Sequence, residues 1–157
     1  MNFQPRSGVA STLRFAALVA GFLLWGLAQA AQAGALDEAR AKAHLQAIAA
    51  GDLDALMRDY PEDAYMDWVG GPLDGRYRGK AAIREVWKKF IANNGGKPRP
   101  ARFGKLEAYS NPNGTTLAVP AEYGGEKPVN VWHALVYRDG ELATEIWQIA
   151  PAIKVVP

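Results

Sequence analysis

Two histidines are the side chains of this sequence best suited to proton chemistry near neutral pH. They are His44 and His133, and the chain has no others. A histidine can donate a hydrogen bond to a carbonyl or phenol oxygen, or can move a proton, at physiological pH. The alternative is that each is a hydrogen-bonded polar group at the edge of the core. Asp67 is a third candidate, since a carboxylate in a pocket can act as a general base.

Other kinds of site chemistry have no support in the residue spacing. Two isolated histidines without nearby partners do not match a metal-binding pattern, and we predict neither a metal nor a cofactor. No serine or cysteine nucleophile motif is present. Gly79 and Lys80 look like the end of a phosphate-binding loop, but Asp74 stands where its first glycine should be and Ala81 replaces the hydroxyl residue.

The elements that must position these side chains begin with helices. An apolar stripe predicts a helix over Leu36 to Ala50, and Asp52 can cap a short second helix. Lys80 to Ala92 has the clearest helical spacing of apolar residues. Asp67 lies in a strand predicted over Ala64 to Val69, and alternation leaves open which face of that strand it takes. The basic residues at 76, 78 and 80 are interpreted as a solvated loop and helix start.

The second half of the chain changes to a period of two, which predicts strands joined by turns. The four predicted strands are Arg102 to Ser110, Thr115 to Tyr123, Val129 to Arg138 and Glu141 to Ile149. Helices followed by a meander indicate an α+β fold. Both faces of the strand that carries His133 have large apolar residues. We therefore expect the helices to cover one face and a partner chain to cover the other.

The first 33 residues are predicted to be a secretory signal peptide rather than part of the fold. Two arginines precede an apolar run from Phe15 to Leu27, and small-residue cleavage sites follow, the second ending at Ala33. An uncleaved membrane anchor is the alternative, but the apolar run is shorter than the roughly 20 residues that span a bilayer. The sequence thus predicts a leader over residues 1–33, one domain over 34–157, and a periplasmic or secreted location.

Charge and composition limit the classes of molecule that the domain is expected to bind. The chain has 18 basic and 16 acidic residues, and two of the basic residues lie in the leader. The domain is then electrically balanced, so we expect no nucleic-acid partner and no membrane association after cleavage. The sequence has no cysteine, which leaves stability to packing rather than disulfides.

Three short motifs, in this order and spacing, resemble the nuclear transport factor 2-like superfamily, with the SnoaL-like branch as the best fit. They are Gly51-Asp52-Leu53-Asp54, Pro61-Glu62-Asp63-Ala64 and Gly79-Lys80-Ala81-Ala82-Ile83-Arg84-Glu85, and the hairpin at Asp139-Gly140 agrees with them. The resemblance implies a cone-shaped, curved antiparallel sheet with three N-terminal helices that enclose a pocket. It also implies a homodimer formed through the outer sheet face. Members include steroid isomerases, polyketide cyclases, dehydratases and non-catalytic binding proteins, so fold alone does not assign an activity.

The resemblance also suggests which residues face the pocket. His44 falls where the steroid isomerases have a helix tyrosine, and His133 falls where they have a protonated aspartate. Trp68 occupies the position of their catalytic base, with Asp67 one residue before it, so none of the three catalytic residue types is kept. Asp67 could serve as base only if a bulge turned it inward.

We therefore predict an exported domain that binds a small, largely apolar or carbonyl-containing molecule. Its pocket would be lined by four aromatic residues, Tyr60, Tyr65, Trp68 and Trp147. The alternative for these residues is the core or a dimer interface, and Trp147 fits either equally well. Catalysis, if present, would be cofactor-free acid–base chemistry of the isomerase, dehydratase or cyclase type, with His44, His133 and Asp67 as its groups. The alternative is a non-catalytic module that binds a ligand or dimerises.

Overall fold

The computed structural model describes residues 32–125 and 127–156, so most of the predicted leader lies outside the described residues. Three helices and seven strands make up the described chain. The helices are α1 over residues 32–50, α2 over Leu53–Leu56 and α3 over Lys80–Ala92. The strands are β1 Tyr65–Val69, β2 Gly75–Arg78, β3 Ala101–Phe103, β4 Glu107–Asn111, β5 Gly114–Tyr123, β6 Val129–Arg138 and β7 Glu141–Ile149. The fold class is α+β, as predicted.

All seven strands form one curved, open sheet in the order β2-β1-β7-β6-β5-β3, with β4 also paired to β5. Strand β1 runs parallel to β7, whereas the other pairs are antiparallel. The sheet is therefore mixed, and the prediction of an antiparallel sheet is wrong for this pair. The reason is that β1 and β7 lie far apart in the sequence, so no hairpin sets their relative direction.

Two further predictions need correction. The three helices are not all N-terminal, because α3 follows β1 and β2 along the chain. Strand β2 covers part of the segment interpreted as a solvated loop, where Arg76 pairs with Asp67 and Tyr77 with Met66. This edge strand was not predicted, because it has only four residues and its arginines are exposed.

The single strand predicted over Arg102 to Ser110 is divided into β3 and β4. The break lies opposite Pro120 of β5, whose carbonyl accepts a hydrogen bond from the Gly104 N–H at 2.9 Å. Pro120 has no N–H, so it cannot complete a regular ladder on this side. A Cβ atom at Gly104 would lie 2.7 Å from Cγ of Pro120, which explains a glycine at this close approach.

The core lies between the inner face of the sheet and the helices α1 and α3. Helix α3 buries Ile83, Val86, Trp87 and Phe90, which are the residues that its apolar spacing selects. Helix α1 buries His44 and Leu45, and His44 contacts Glu145 of β7. Within the described residues, no helix combines the length and the apolar character needed to cross a bilayer.

Candidate functional site

Glu145 of β7 is the centre of a buried polar cluster, and its side chain is fully inaccessible to solvent. A bulge in β7 determines which way it points. Val136 pairs with Thr144 and Tyr137 pairs with Leu142, so Ala143 is left as the extra residue. Because a bulge shifts the alternation by one residue, Leu142 and Glu145 both face the core.

Two side chains from the helical side contact the Glu145 carboxylate. Nε2 of His44 on α1 lies 3.3 Å from Oε1, and the hydroxyl of Tyr60, which follows α2, donates to Oε2. The indole Nε1 of Trp87 on α3 donates to the Tyr60 hydroxyl oxygen at 3.0 Å. The Glu145 carboxylate is therefore contacted by His44 and Tyr60 directly and is linked to Trp87 through the Tyr60 hydroxyl.

His133 of β6 lies beside this cluster without joining its hydrogen bonds. Its Nδ1 is 3.7 Å from Oε1 of Glu145, and neither ring nitrogen has a hydrogen-bond partner within the described chain. Burial lowers the pKa of His133 to about 4, against the opposing effect of the Glu145 charge and with a further lowering from His44. His133 is therefore neutral at physiological pH.

The protonation of Glu145 follows from a competition between two effects. Burial on its own raises the pKa of this carboxyl group, but the charge and hydrogen bond of His44, the electrostatic effect of His133 and the hydrogen bond of Tyr60 together lower it further than burial raises it. Burial and the adjacent carboxylate raise the pKa of Tyr60 well above its usual value, so that hydroxyl stays a donor. Glu145 is thus an ionised, buried carboxylate whose partners are held in place.

Asp67 is not brought to this cluster. It lies on the outer face of β1, where Nε of Arg76 is 3.2 Å from its carboxylate. The pairing of β1 with β2 and β7 is regular through this residue, so no bulge turns it inward. Tyr65 lies on the same outer face, with the Arg78 guanidinium 5.4 Å from its ring centre.

The two tryptophans expected in the pocket stack on each other between the sheet and α3. The ring centres of Trp68 and Trp147 are 4.7 Å apart, with an angle of 26° between the rings. On its other side Trp147 contacts His133, whose ring centre is 4.6 Å away. Trp87 and Phe90 complete the packing against this stack.

An open cleft of about 800 Å³ lies next to the aromatic stack. Trp68 and Phe90 form part of its wall, whereas His44, Tyr60, His133, Glu145 and Trp147 do not line it. The remaining lining residues are Pro72, Leu73, Asn93, Asn94, Gly95, Lys97, Pro98, Arg99, Gly125, Lys127, Val129 and Ile149. A molecule in the cleft would contact Trp68 and would be separated from His133 by the Trp68–Trp147 stack.

The arrangement contains the groups of a proton-transfer site, but these groups are closed off from solvent. His44, Glu145 and Tyr60 could exchange a proton among themselves, but all three are at most 3% exposed. Among the described residues, no group of three or more histidine, aspartate or glutamate side chains is placed to hold a metal ion.

Glu145 was not among the site residues predicted from the sequence, although its position in β7 carries a signal. Glu145 shares its alternation along β7 with Trp147 and Ile149, which is unusual for a carboxylate in an apolar row. The even-numbered residues of β7 include the apolar Leu142 and Ile146. The alternation alone therefore did not show which face of β7 is the inner one.

Comparison with known proteins agrees with this architecture. The sequence profile of the family described as SnoaL-like domain matches residues 41–144. No curated protein matches the chain.

Solved structures share the fold at low sequence identity. A protein of unknown function from Burkholderia xenovorans LB400, described as NTF-2 like, is 22% identical, with 80% of this chain and 90% of that chain covered and a TM-score of 0.58. An NTF2-like protein of unknown function from Pseudomonas putida KT2440 is 16% identical over 80% of this chain and 94% of its own, with a TM-score of 0.63. A protein of unknown function with a cystatin-like fold from Methylobium petroleophilum PM1 is 13% identical over 78% and 82%, with a TM-score of 0.61. On the profile match, which spans more than half of its length, the chain belongs to the family of SnoaL-like domains.

Proposed function

We propose that this protein is an exported binding protein that takes a small, largely apolar ligand into the cleft beside Trp68. The observation that carries this proposal is the cleft itself, with a volume of about 800 Å³ and a wall that includes Trp68, Phe90 and Leu73. Small-molecule sites have volumes on the order of 300–1,000 Å³ and walls that are mostly apolar with a few polar groups.

Burial of the polar cluster favours binding over catalysis. A catalytic group has to reach within hydrogen-bond distance of the substrate atom that it protonates or deprotonates. His133 and Glu145 are completely buried, and the stack of Trp68 on Trp147 separates them from the cleft. A ligand in the cleft would therefore meet aromatic rings before any titratable group of the cluster.

Filling the cleft tests the proposal by occupying the space that the ligand would need. Val129 lies on the cleft wall and is only half-buried, so Val129→Trp places a large ring where the ligand would sit. Val69→Trp is the matched control, because Val69 is exposed on the outer face of β1. Native mass spectrometry of the protein isolated from its own cells should show a retained small molecule in the wild type and in Val69→Trp but not in Val129→Trp. A mass retained equally by all three proteins, or by none, would contradict the proposal.

Cofactor-free acid–base catalysis is the second candidate, of the isomerase, dehydratase or cyclase type. The meeting of His44, Tyr60 and Glu145 at one point favours it, because these groups can hold and move a proton. It requires the Trp68–Trp147 stack to open. Incubating the retained molecule with the protein in heavy water, followed by NMR, should reveal isotope exchange or a product that His44→Gln and Glu145→Gln abolish. A molecule that stays unchanged in all these proteins would exclude this candidate.

Export and dimerisation are part of the same proposal. The apolar run and small residues before Ala33 support removal of a leader, and N-terminal sequencing of the protein from its own cells should find Gly34 as the first residue. A first residue within the apolar run or at Met1 would contradict export by this route. The exposed Trp132 supports a homodimer through the outer sheet face.

A further inference from the structure

We propose that cleavage of the chain after Ala33 creates a charged amino terminus at Gly34 that binds Asp37 and Ser110 and so completes the docking of α1. This inference rests on the proposed removal of the leader and adds what the new chain end does in the folded protein. It is supported by the position of the cleavage site in α1, by the burial of Asp37, and by the hydroxyl groups beside Gly34.

The predicted cleavage site lies where α1 passes from exposed to buried residues. Positions 32 and 33 of the helix are exposed, whereas Gly34 is buried. Hydrolysis of the bond between Ala33 and Gly34 consumes one water molecule. It leaves a carboxylate on Ala33, which departs with the leader, and an ammonium group on Gly34. Because peptidases cleave accessible, extended chain, this step precedes the docking of α1, and the ammonium group is present when helix and sheet meet.

Asp37 is the carboxylate placed to receive that ammonium group. It lies three residues after Gly34 and is only 4% exposed. The first N–H groups of a helix have no partner within it, and an acidic side chain three residues later can reach back to the residue that begins the helix. One carboxylate oxygen of Asp37 contacts Arg40 at 3.0 Å and the other accepts a hydrogen bond from Thr115 at 2.7 Å. Each oxygen has a second lone pair that the ammonium group can use.

Ser110 of β4 supplies a second acceptor, from the sheet. A Cβ atom at Gly34 would lie 2.3 Å from Oγ of Ser110. The nitrogen of Gly34 is bonded to the same Cα atom, so it lies within about 5 Å of that oxygen. The Ser110 and Thr115 hydroxyl oxygens are 3.2 Å apart, and Thr115 donates to Asp37. A chain of polar groups therefore runs from Ser110 to the carboxylate next to the new amino terminus.

The charges near Gly34 explain why the contact needs Asp37. A positive charge at the start of a helix is opposed by the helix dipole, and the Arg40 guanidinium repels it as well. The side chain of Arg40 is 40% exposed, so water and salt screen this repulsion more than they screen the attraction of the buried Asp37. The net attraction holds the first turn of α1 on the sheet. The same helix carries His44, which contacts Glu145.

The first test measures stability in urea, on processed protein recovered from its own cells. Two serines inserted between Ala33 and Gly34 move the amino terminus outward to the place of residue 32, which is exposed. We expect the unfolding equilibrium constant of this extended form to be at least about fivefold larger than that of the wild type. Asp37→Asn should abolish the difference between the two forms. Glu38→Gln, which removes a charge from the same helical turn, should keep it.

The second test measures the reactivity of the amino terminus and needs no variant at Asp37, so it decides the case in which Asp37→Asn does not fold. At about pH 6.5 an acylating reagent modifies the α-amino group in preference to lysines. Mass spectrometry of the N-terminal peptide should show acylation at least about tenfold slower in the folded wild type than in the folded extended form. In urea the two rates should be the same.

The outcomes separate this inference from the proposed export. A first residue other than Gly34 would overturn both the proposed cleavage at this bond and the inference. A first residue at Gly34, with equal stability of the two forms or equal acylation rates, would overturn the inference alone. A stability difference that survives in Asp37→Asn would overturn it as well.

Discussion

Glu145 is a charged residue whose position depends on partners from several elements. A carboxylate transferred into the interior costs several kcal/mol unless other groups replace its hydration. Here the His44 ring and the Tyr60 hydroxyl replace part of that hydration, and Trp87 orients the hydroxyl through a 3.0 Å hydrogen bond. Removal of Glu145 would therefore leave His44 and Tyr60 in the core without their hydrogen-bond acceptor.

Glu145→Ala should destabilise the protein by about 3 kcal/mol. The substitution leaves two buried polar groups, His44 and Tyr60, without their acceptor, at about 1–3 kcal/mol each. Urea unfolding followed by circular dichroism measures the loss. Glu141→Ala is the control on the same strand, since Glu141 is exposed and should change stability by less than about 0.5 kcal/mol. Equal effects of the two substitutions would show that the cluster does not stabilise the fold.

Acid should destabilise the protein through His133 over a defined pH window. The pKa of His133 is about 4 in the folded protein, below its usual 6.5, so between these values the unfolded chain binds a proton that the folded chain does not. Stability is therefore lost as pH falls from 6.5 to about 4, by roughly 3 kcal/mol in total. The pKa of Glu145 is also lowered, and its contribution is lost only below its usual value of 4.5.

The measurement is the free energy of unfolding in urea at half-unit steps from pH 7 to pH 4. His133→Gln removes the titrating group. As pH falls from 6.5 to about 4, the unfolding free energy of this variant should therefore decrease by roughly 3 kcal/mol less than that of the wild type. Profiles of the same steepness in both proteins would contradict the assignment of the acid sensitivity to His133.

At the scale of elements, the docking of α1 on the sheet brings His44 to Glu145. Two contacts near the start of the helix set this position. The buried Asp37 accepts a hydrogen bond from Thr115 of β5 at 2.7 Å and pairs with Arg40 at 3.0 Å. Gly34 packs so close to β4 that a Cβ atom there would lie 2.3 Å from Oγ of Ser110. Helix and sheet are thus joined by a polar contact and by the close approach of the Gly34 backbone to the Ser110 side chain.

Thr115→Val should destabilise the protein by about 2 kcal/mol, because it keeps the shape but removes the donor to the buried Asp37 carboxylate. Thr116→Val is the matched control, since Thr116 is the next residue of β5 and is exposed on the other face. Thermal and urea unfolding measure both variants. A loss for Thr115→Val no greater than that for Thr116→Val would mean that this hydrogen bond does not anchor α1.

At the scale of the molecule, the outer face of the sheet carries an apolar area that α1 and α3 do not cover. Trp132 is 38% exposed there and pairs with Pro120 of β5, and the half-buried Ile146 of β7 lies on the same face. Exposed apolar areas of this kind mark interaction surfaces. A second copy of the chain on this face is consistent with the proposed homodimer.

Trp132→Glu should weaken that dimer by more than about tenfold, because large aromatic residues dominate the binding energy of interfaces and a buried charge opposes association. Light scattering after size exclusion should give the mass of a dimer for the wild type and of a monomer for the variant. Leu36→Glu is the control, since Leu36 is 54% exposed on α1. A wild type that is monomeric at all concentrations would contradict the dimer.

The sequence by itself determined the elements whose patterns are local. The apolar spacing of α3 and the alternation in β5, β6 and β7 depend on neighbouring residues, and their predicted limits agree with the structure to within one residue. Alternation also placed His133 on the same face of β6 as Val131 and Leu135, although it did not choose between the two apolar faces of that strand. The candidate histidines and aromatic residues could be chosen from residue type and from the family resemblance.

Only the tertiary structure decided how these residues meet. Asp67 faces outward because β1 pairs regularly with β2 and β7, and Glu145 faces inward because of the bulge at Ala143. The first outcome depends on pairing between β1 and β7, which are distant in the sequence, and the second on the register of the β6–β7 hairpin, which residue alternation does not record. The same long-range packing stacks Trp68 on Trp147 and separates the histidines from the cleft. Residue types set what chemistry was available, and packing decided which groups a ligand can reach.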